Sequence, residues 1–257
     1  MQHKLSILII TKNEEKFIKS LLTSLDFADE VVVVDSGSTD KTTEIAKELG
    51  AKVLFREFDY HSAQKNWGLQ QLKNDWVLIL DADEKVSDEL KQEIKSILNK
   101  RDIEEKAFWI RRKNFFMGEE VKYSGWQNDK VIRLLHKGFC KYDDKLVHEE
   151  IETNEKVGVL NNKLLHYTYK DFKTYFKKFQ KYSTQKALIK NEKHEKVGFF
   201  HLAIKPGIKF FKHYVLHKGF LDGKVGLIIS IMESFQDFLV YLKVWRIKNG
   251  EDISKLD

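Results

Sequence analysis

The sequence predicts an α/β fold: a mainly parallel sheet with helices on both faces, a small antiparallel extension, and a helical C-terminal region. Three observations carry this. Strand-like and helix-like segments alternate through the first part of the chain. The strand candidates are short, unbroken apolar runs such as Val31-Val32-Val33-Val34 and Trp76-Val77-Leu78-Ile79-Leu80. Polar residues crowd where those runs end. Alternation is the pattern of a parallel sheet, and a strand apolar on every residue suits a sheet covered on both faces.

In order, the expected elements are a strand at Leu5–Ile10, a helix at Glu14–Leu25, a strand at Val31–Val34, a helix at Thr39–Leu49 and a strand at Lys52–Phe55. A helix at His61–Leu72, a strand at Trp76–Leu80 and a helix at Asp88–Asn99 complete the series. Gly50 suits the C-terminal cap of the second helix and Ser87 the N-cap of the fourth, where Asp88 and Glu89 complement the dipole. From Ala107 to Tyr169 short strands such as Phe108-Trp109-Ile110 and Val131-Ile132-Arg133-Leu134-Leu135 extend the same domain. Beyond Lys170 the chain reads as helices interrupted at Gly198, at Pro206, and from Gly219 to Gly226. The expected division is therefore a catalytic domain over 1–169, its nucleotide-binding part near 1–100 and its acceptor part near 101–169, followed by a basic helical region over 170–257.

A chain of 257 residues, 42% hydrophobic and 33% charged, can bury a substantial core. Its one cysteine, Cys140, excludes an internal disulfide and a paired-cysteine zinc site, which fits a reducing, cytoplasmic setting. The N-terminus does not read as a signal peptide, and no apolar run is expected to reach membrane-spanning length. The net charge of +6 is uneven: Lys170 to Lys218 carries 13 lysines and 3 acids, net +10, which leaves −4 elsewhere. An anionic membrane surface, nucleic acid or a solvated lysine face each fits such a segment, but no motif that reads nucleic acid accompanies it.

The chemistry concentrates at strand ends. The fourth strand delivers Asp81-Ala82-Asp83-Glu84, and clustered carboxylates at a buried terminus call for a cation or ligand. The first strand runs into Thr11-Lys12-Asn13-Glu14 without the glycines that dinucleotide binding needs, which argues against NAD or FAD. Asn13 can cap the first helix, contact a ligand, or both. Asp35, before Ser36-Gly37-Ser38-Thr39-Asp40, can accept hydrogen bonds from a ribose or base, or serve the turn alone. Lys65 and Asn66, near a helix start, can meet phosphate or sugar oxygens, or simply lie on a surface helix.

Taken together, L-S-I-L-I-I-T-K-N-E-E, V-V-V-V-D-S-G-S-T-D-K-T, Q-K-N-W-G-L and W-V-L-I-L-D-A-D-E resemble the family 2 glycosyltransferases of GT-A fold. The resemblance covers Leu5 to Tyr169. It is nearest to bacterial enzymes that add a β-linked hexose, often glucose, to the inner core of lipopolysaccharide or lipooligosaccharide. Gly125-Trp126 with Asp129 and Arg133-Leu134-Leu135, Val147-His148-Glu149 and Leu165-His166-Tyr167 fit that subgroup. Where many relatives carry two acids after the second strand, this chain has Asp35-Ser36.

The resemblance implies an inverting transferase that uses a UDP-sugar, UDP-glucose above all, and a lipid-linked saccharide acceptor. Thr11, Asn13, Glu14, Asp35, Asp40, Lys65, Asn66, Asp81, Ala82 and Asp83 would bind the donor, and Trp126 and Arg133 the acceptor. Mg²⁺ or Mn²⁺ would sit on Asp83 and Asp81, with His148 and His166 as candidate further ligands. Asp129 or Glu149 would take the acceptor proton, Asp129 being favoured because an arginine-bearing segment follows it. A haloacid-dehalogenase-type phosphatase would put its D-x-D on the first strand, whereas here it follows the fourth. A catalytically silent sugar-nucleotide or membrane-binding module is the other alternative.

In the C-terminal region Ile204, Ile208, Phe211 and Val215 form one stripe beside Lys205, Lys209 and Lys212, the pattern of a helix lying at a bilayer surface. The later set Leu227, Ile228, Ile231, Phe235, Phe238, Leu239 and Leu242 is expected to pack on the catalytic domain instead, because Glu233 and Asp237 interrupt it.

Overall fold

The computed structural model describes residues 2–143, 150–169 and 171–253. The chain divides into two compact units, residues 1–113 with 129–166, and residues 114–128 with 167–257.

In the first unit the early elements are β1 (Leu5–Thr11), α1 (Glu15–Leu22), β2 (Glu30–Asp35), α2 (Thr42–Glu48), β3 (Lys52–Phe55), α3 (His61–Gln70), β4 (Trp76–Asp81), β5 (Glu84–Lys85) and α4 (Asp88–Leu98). Strands β3, β2, β1 and β4 lie side by side in that order, all parallel. Successive strand residues feed opposite layers. Leu5, Ile7, Ile9, Leu78 and Leu80 join a core with Ile18 of α1, Ala46 of α2 and Leu90 and Ile94 of α4. Leu8, Val32, Val34, Val77 and Ile79 pack on the other face with Leu69 of α3. The apolar runs are continuous because both faces are covered.

Two boundaries differ from expectation for local reasons. Helix α1 stops at Leu22, and beyond it the Thr23 hydroxyl donates to the Lys19 carbonyl at 3.0 Å and the Ser24 hydroxyl to that of Leu21 at 2.7 Å. Helix α2 starts at Thr42 because Ser38 to Asp40 are drawn into a loop bonded to Asn13, described below. The cap residues behave as the sequence suggests: Ser87 accepts from the Leu90 N–H, and Gly50 follows α2 with φ +81°.

The later strands are β6 (Ala107–Phe116), β7 (Glu119–Val121), β8 (Lys130–His136), β9 (Lys141–Tyr142), β10 (Ile151–Glu152), β11 (Val157–Val159) and β12 (Leu164–Thr168), paired antiparallel except β11, which runs parallel to β6. Strand β8 runs antiparallel to β4, with Leu78 opposite Leu134. Strand β12 runs antiparallel to β5, with His166 opposite Glu84.

The second unit contains α5 (Phe172–Glu192), α6 (Lys205–Phe211) and α7 (Gly223–Lys248). Wide π-helical turns flank α6 at Phe200–Ile204 and Lys212–Leu216, and a 3₁₀ turn spans Gly219–Asp222. Pro206 does not interrupt the chain as expected. It is the second residue of α6 and directly follows the wide π-helical turn Phe200–Ile204, the kind of irregular turn found where a proline sits in a helix. The interruption expected from Gly219 to Gly226 is present at Gly223, whose φ of +61° separates the 3₁₀ turn from α7, and absent at Gly226, inside α7; Gly219–Lys248 together make a 30-residue stretch with mean hydropathy 1.5 over its most apolar window. By length and composition it can cross a membrane, contrary to the sequence expectation. The core helix of a soluble protein passes the same test. Its buried residues include Ile229, Val240, Tyr241 and Val244, while Leu227, Ile228, Ile231 and Phe235 from the stripe expected to pack are exposed.

Candidate active site

The carboxyl ends of β1, β2 and β4 converge, the position at which open α/β sheets bind ligands. Asn13 has φ +57° and is not the cap of α1. That place falls to Glu14, whose side chain makes no capping bond. Asn13 instead accepts from the Thr39 N–H at 2.7 Å and donates its own N–H to Ser38 Oγ at 2.8 Å. Asp35 is buried and organises the same loop. Its Oδ2 accepts from the N–H groups of Gly37 and Ser38, each at 2.9 Å, and its Oδ1 from the Ser38 hydroxyl. Asp40 accepts from the Thr42 N–H at 3.0 Å and the Glu15 N–H at 3.2 Å, and Glu14 donates its N–H to Thr42 Oγ1. The two loops are thus pinned together before any ligand arrives.

Helix α3 turns Gln64 and Lys65 inward. The Gln64 amide donates to Ser36 Oγ at 2.7 Å and to the Arg56 carbonyl at 3.1 Å. The buried Lys65 ammonium lies 3.9 Å from Asp81 and 5.0 Å from the Tyr142 ring centre. Asn66 turns to the backbone, its amide bracketing Tyr142 at 3.0 and 2.9 Å in the manner of a strand partner. Thr11 Oγ1, Gln64 Oε1 and Arg133 Nε are buried with no hydrogen-bond partner among the described residues. Such orphans cost stability unless a ligand or water meets them.

At the end of β4, Ala82 is buried, Asp81 faces cations and Asp83 faces His166. The Arg133 guanidinium bonds Asp81 and reaches Glu84 Oε1 at 2.8 Å, and Arg112 holds Asp129 through two bonds of 2.8 Å. Desolvation opposes the charge on Asp81, but Arg133, then Lys65 and Arg112, outweigh it and hold the carboxyl well below the usual range. Burial pushes the Glu84 pKa up against the pull of Arg133. Burial also lowers the His166 pKa, more strongly than Asp83 raises it, which favours the neutral imidazole.

Asp83 Oδ1 and His166 Nε2 are 3.8 Å apart. That is beyond hydrogen-bond reach but within the span of two atoms that each lie about 2.1 Å from a shared ion. Among the described residues no three His, Cys, Asp or Glu side chains form a metal cluster. The donor set therefore fits an ion that takes its remaining oxygens from water and phosphate, as Mg²⁺ commonly does. His148 and Glu149 lie outside the described residues. Trp126 belongs to the second unit, its ring 6.2 Å from and steeply tilted to that of Phe116. Sequence reasoning did not single out Arg112, Gln64 or Glu84. Glu84 adjoins the D-x-D run, but nothing in the sequence signals that Arg112 pairs with Asp129.

The profile of glycosyl transferase family 2 matches residues 6–202, and the chain belongs to that family. It is a glycosyltransferase with a GT-A-type fold, extended by the antiparallel strands and the C-terminal helices. It is 32% identical to an uncharacterized glycosyltransferase of Rickettsia typhi, over 94% of this chain and 86% of the relative. It is 28% identical to the lipopolysaccharide core biosynthesis glycosyltransferase LpsC of Rhizobium meliloti, over 94% and 92% of the two chains. Among solved structures, glucosyl-3-phosphoglycerate synthase of Mycobacterium tuberculosis, in complex with Mn²⁺, UDP and glucosyl-3-phosphoglycerate, matches 44% of each chain at 26% identity and a TM-score of 0.36.

Proposed function

We propose that the enzyme moves a hexose, glucose first among candidates, from a UDP-sugar to a saccharide of the lipopolysaccharide or lipooligosaccharide inner core, with inversion. The observation that carries this reading is the meeting of the Asn13 and Asp35 loops, Lys65 and Asp81-Ala82-Asp83 at one sheet end, with buried orphan polar atoms beside them. Similarity to a lipopolysaccharide core enzyme supports the acceptor class.

Asp83 and His166 would hold Mg²⁺ or Mn²⁺, whose positive charge, when bound, would offset that of a departing diphosphate. Lys65 adds a fixed positive charge on the same side, and Arg133 holds Asp81 ionised. A carboxylate must take the acceptor proton as the hydroxyl attacks the anomeric carbon in line, through an oxocarbenium-like transition state. Asp129 and Glu149 are the two candidates. The bidentate bond from Arg112 weakens Asp129 as a base while it stays closed, so acceptor binding must loosen that pair if Asp129 serves.

The second unit would hold the enzyme on the cytoplasmic face of the membrane, where a lipid-linked acceptor resides. Ile204, Ile208, Phe211 and Val215 are all 40% or more exposed, in a segment rich in lysine.

The test is binding of UDP with Mn²⁺ followed by thermal shift. The wild type should be stabilised and Asp83→Ala should not. Stabilisation that ignores both the metal and this substitution would refute the reading. A donor screen scored by release of nucleoside diphosphate then identifies the sugar.

A further inference from the structure

The second unit contains a cavity of about 200 Å³ that the transfer chemistry does not use. Aromatic side chains form much of its wall, among them Phe116, Trp126, Tyr169 and Tyr175, while Glu233 and Gln236 of α7 supply polar groups. A hollow of this size with polar walls takes up water or ligand.

The wall is built to keep its shape. The Phe116 ring meets the Tyr169 and Tyr175 rings edge-on, with centroids 5.8 and 5.3 Å apart, and Tyr169 meets Tyr175 at 4.7 Å and 88°. Tyr169 has φ +61°, a left-handed backbone that an aromatic residue rarely adopts. Strain of this kind persists where surrounding contacts over-determine a position, and ligand clamps are one such setting. The polar groups are also held. Lys209 lies 3.5 Å from the Glu233 carboxylate, and Lys186 donates to the Gln236 amide oxygen at 3.3 Å.

The chemistry of the wall selects the ligand. An acyl chain has no use for a carboxylate, an amide and an ammonium. A nucleotide needs an anion site and more space, since pockets for ligands of that size begin near roughly 300 Å³. A sugar ring presents one apolar C–H face and a rim of hydroxyls, which calls for flat aromatic surfaces together with fixed donors and acceptors. We propose that this cavity binds one pyranose ring of a saccharide, with the Tyr169 ring against its C–H face and Glu233 and Gln236 bonded to its hydroxyls. The purpose of the site, to hold one sugar of the acceptor, rests on the transferase reading. The binding itself does not.

The experiment is saturation-transfer NMR on the full chain without nucleotide or metal, with methyl β-D-glucopyranoside and methyl β-D-galactopyranoside as probes at millimolar concentration. Transfer to ring protons is expected from at least one glycoside. Affinity should fall about tenfold in Tyr169→Ala and in Glu233→Gln, the second being a near-isosteric change at a partly exposed position that spares the fold. Asp83→Ala should keep glycoside binding while losing UDP with Mn²⁺. No transfer to either glycoside from folded wild type overturns the proposal, as does transfer that Glu233→Gln leaves unchanged. Transfer to octanoate alone would assign the cavity to acyl chains and also overturn it. Loss of UDP binding in the wild type with glycoside binding intact would instead count against the transferase reading.

Discussion

The Arg133 guanidinium donates to Glu84 Oε1 at 2.8 Å, and the two side chains are 5% and 0% exposed. The same guanidinium bonds Asp81, so one buried cation ties the end of β4 to the carboxylate just beyond it. Arg133→Met would leave Glu84 buried without that partner, and urea unfolding should show a loss of about 3–5 kcal/mol. Adding Glu84→Leu should recover much of it, because an apolar pair removes the uncompensated charge. A double variant no better than the single one would mean that the arginine acts chiefly through Asp81.

Asp129→Asn tests whether a carboxylate clasped by Arg112 serves as the base. If it does, kcat should fall by about 10²–10⁴ with little change in donor KM. If Glu149→Gln produces that fall and Asp129→Asn only lowers stability, Asp129 is a clamp for Arg112.

Cys140 is 5% exposed, and burial raises its thiol pKa. The thiolate is the reactive form. Iodoacetamide at neutral pH should therefore label the native protein slowly and the urea-unfolded protein fast. Equal rates would show that the region around β9 opens freely.

His217 gives the second unit a pH dependence. Its Nδ1 is buried without a hydrogen-bond partner among the described residues, and burial, then His213, Lys212 and Lys209, lower its pKa. The native state then binds fewer protons than the unfolded state, where the pKa is about 6.5, so stability should fall as pH drops through that value toward the native pKa. Thermal midpoints between pH 8 and pH 5 should fall less steeply in His217→Gln. An unchanged slope would assign the acid sensitivity to other groups.

Membrane attachment predicts co-sedimentation with vesicles that contain anionic lipid, weakened by salt. Ile208→Asp with Phe211→Asp, at side chains 54% and 53% exposed, should abolish it without unfolding the protein. A folded double variant that still sediments would remove the apolar stripe from the interface.

The parallel half of the sheet was legible because every strand from Leu5 to Asp81 is an apolar run closed by polar residues, a pattern that local physics alone creates. The D-x-D position followed from the same logic. Asn13 was harder: a cap and a left-handed loop residue look alike in sequence, and the partner that decides, Thr39, lies 26 positions away. Asn66 shows the same limit, since its bonds reach Tyr142. In the helical region Pro206 and Gly226 read as breaks because each usually is one. The first follows a wide π-helical turn, and the second makes a close backbone contact.

That contact concerns Gly219 and Gly226. A Cβ on Gly226 would lie 1.9 Å from the Gly219 carbonyl oxygen, and one on Gly219 would lie 2.8 Å from the His213 carbonyl oxygen. Even alanine has nowhere to go at either place, whereas Leu227 and Ile228 next door are open to solvent. The alphabet at 219 and 226 is one letter long, whereas the outer face of the last helix has room for many side chains.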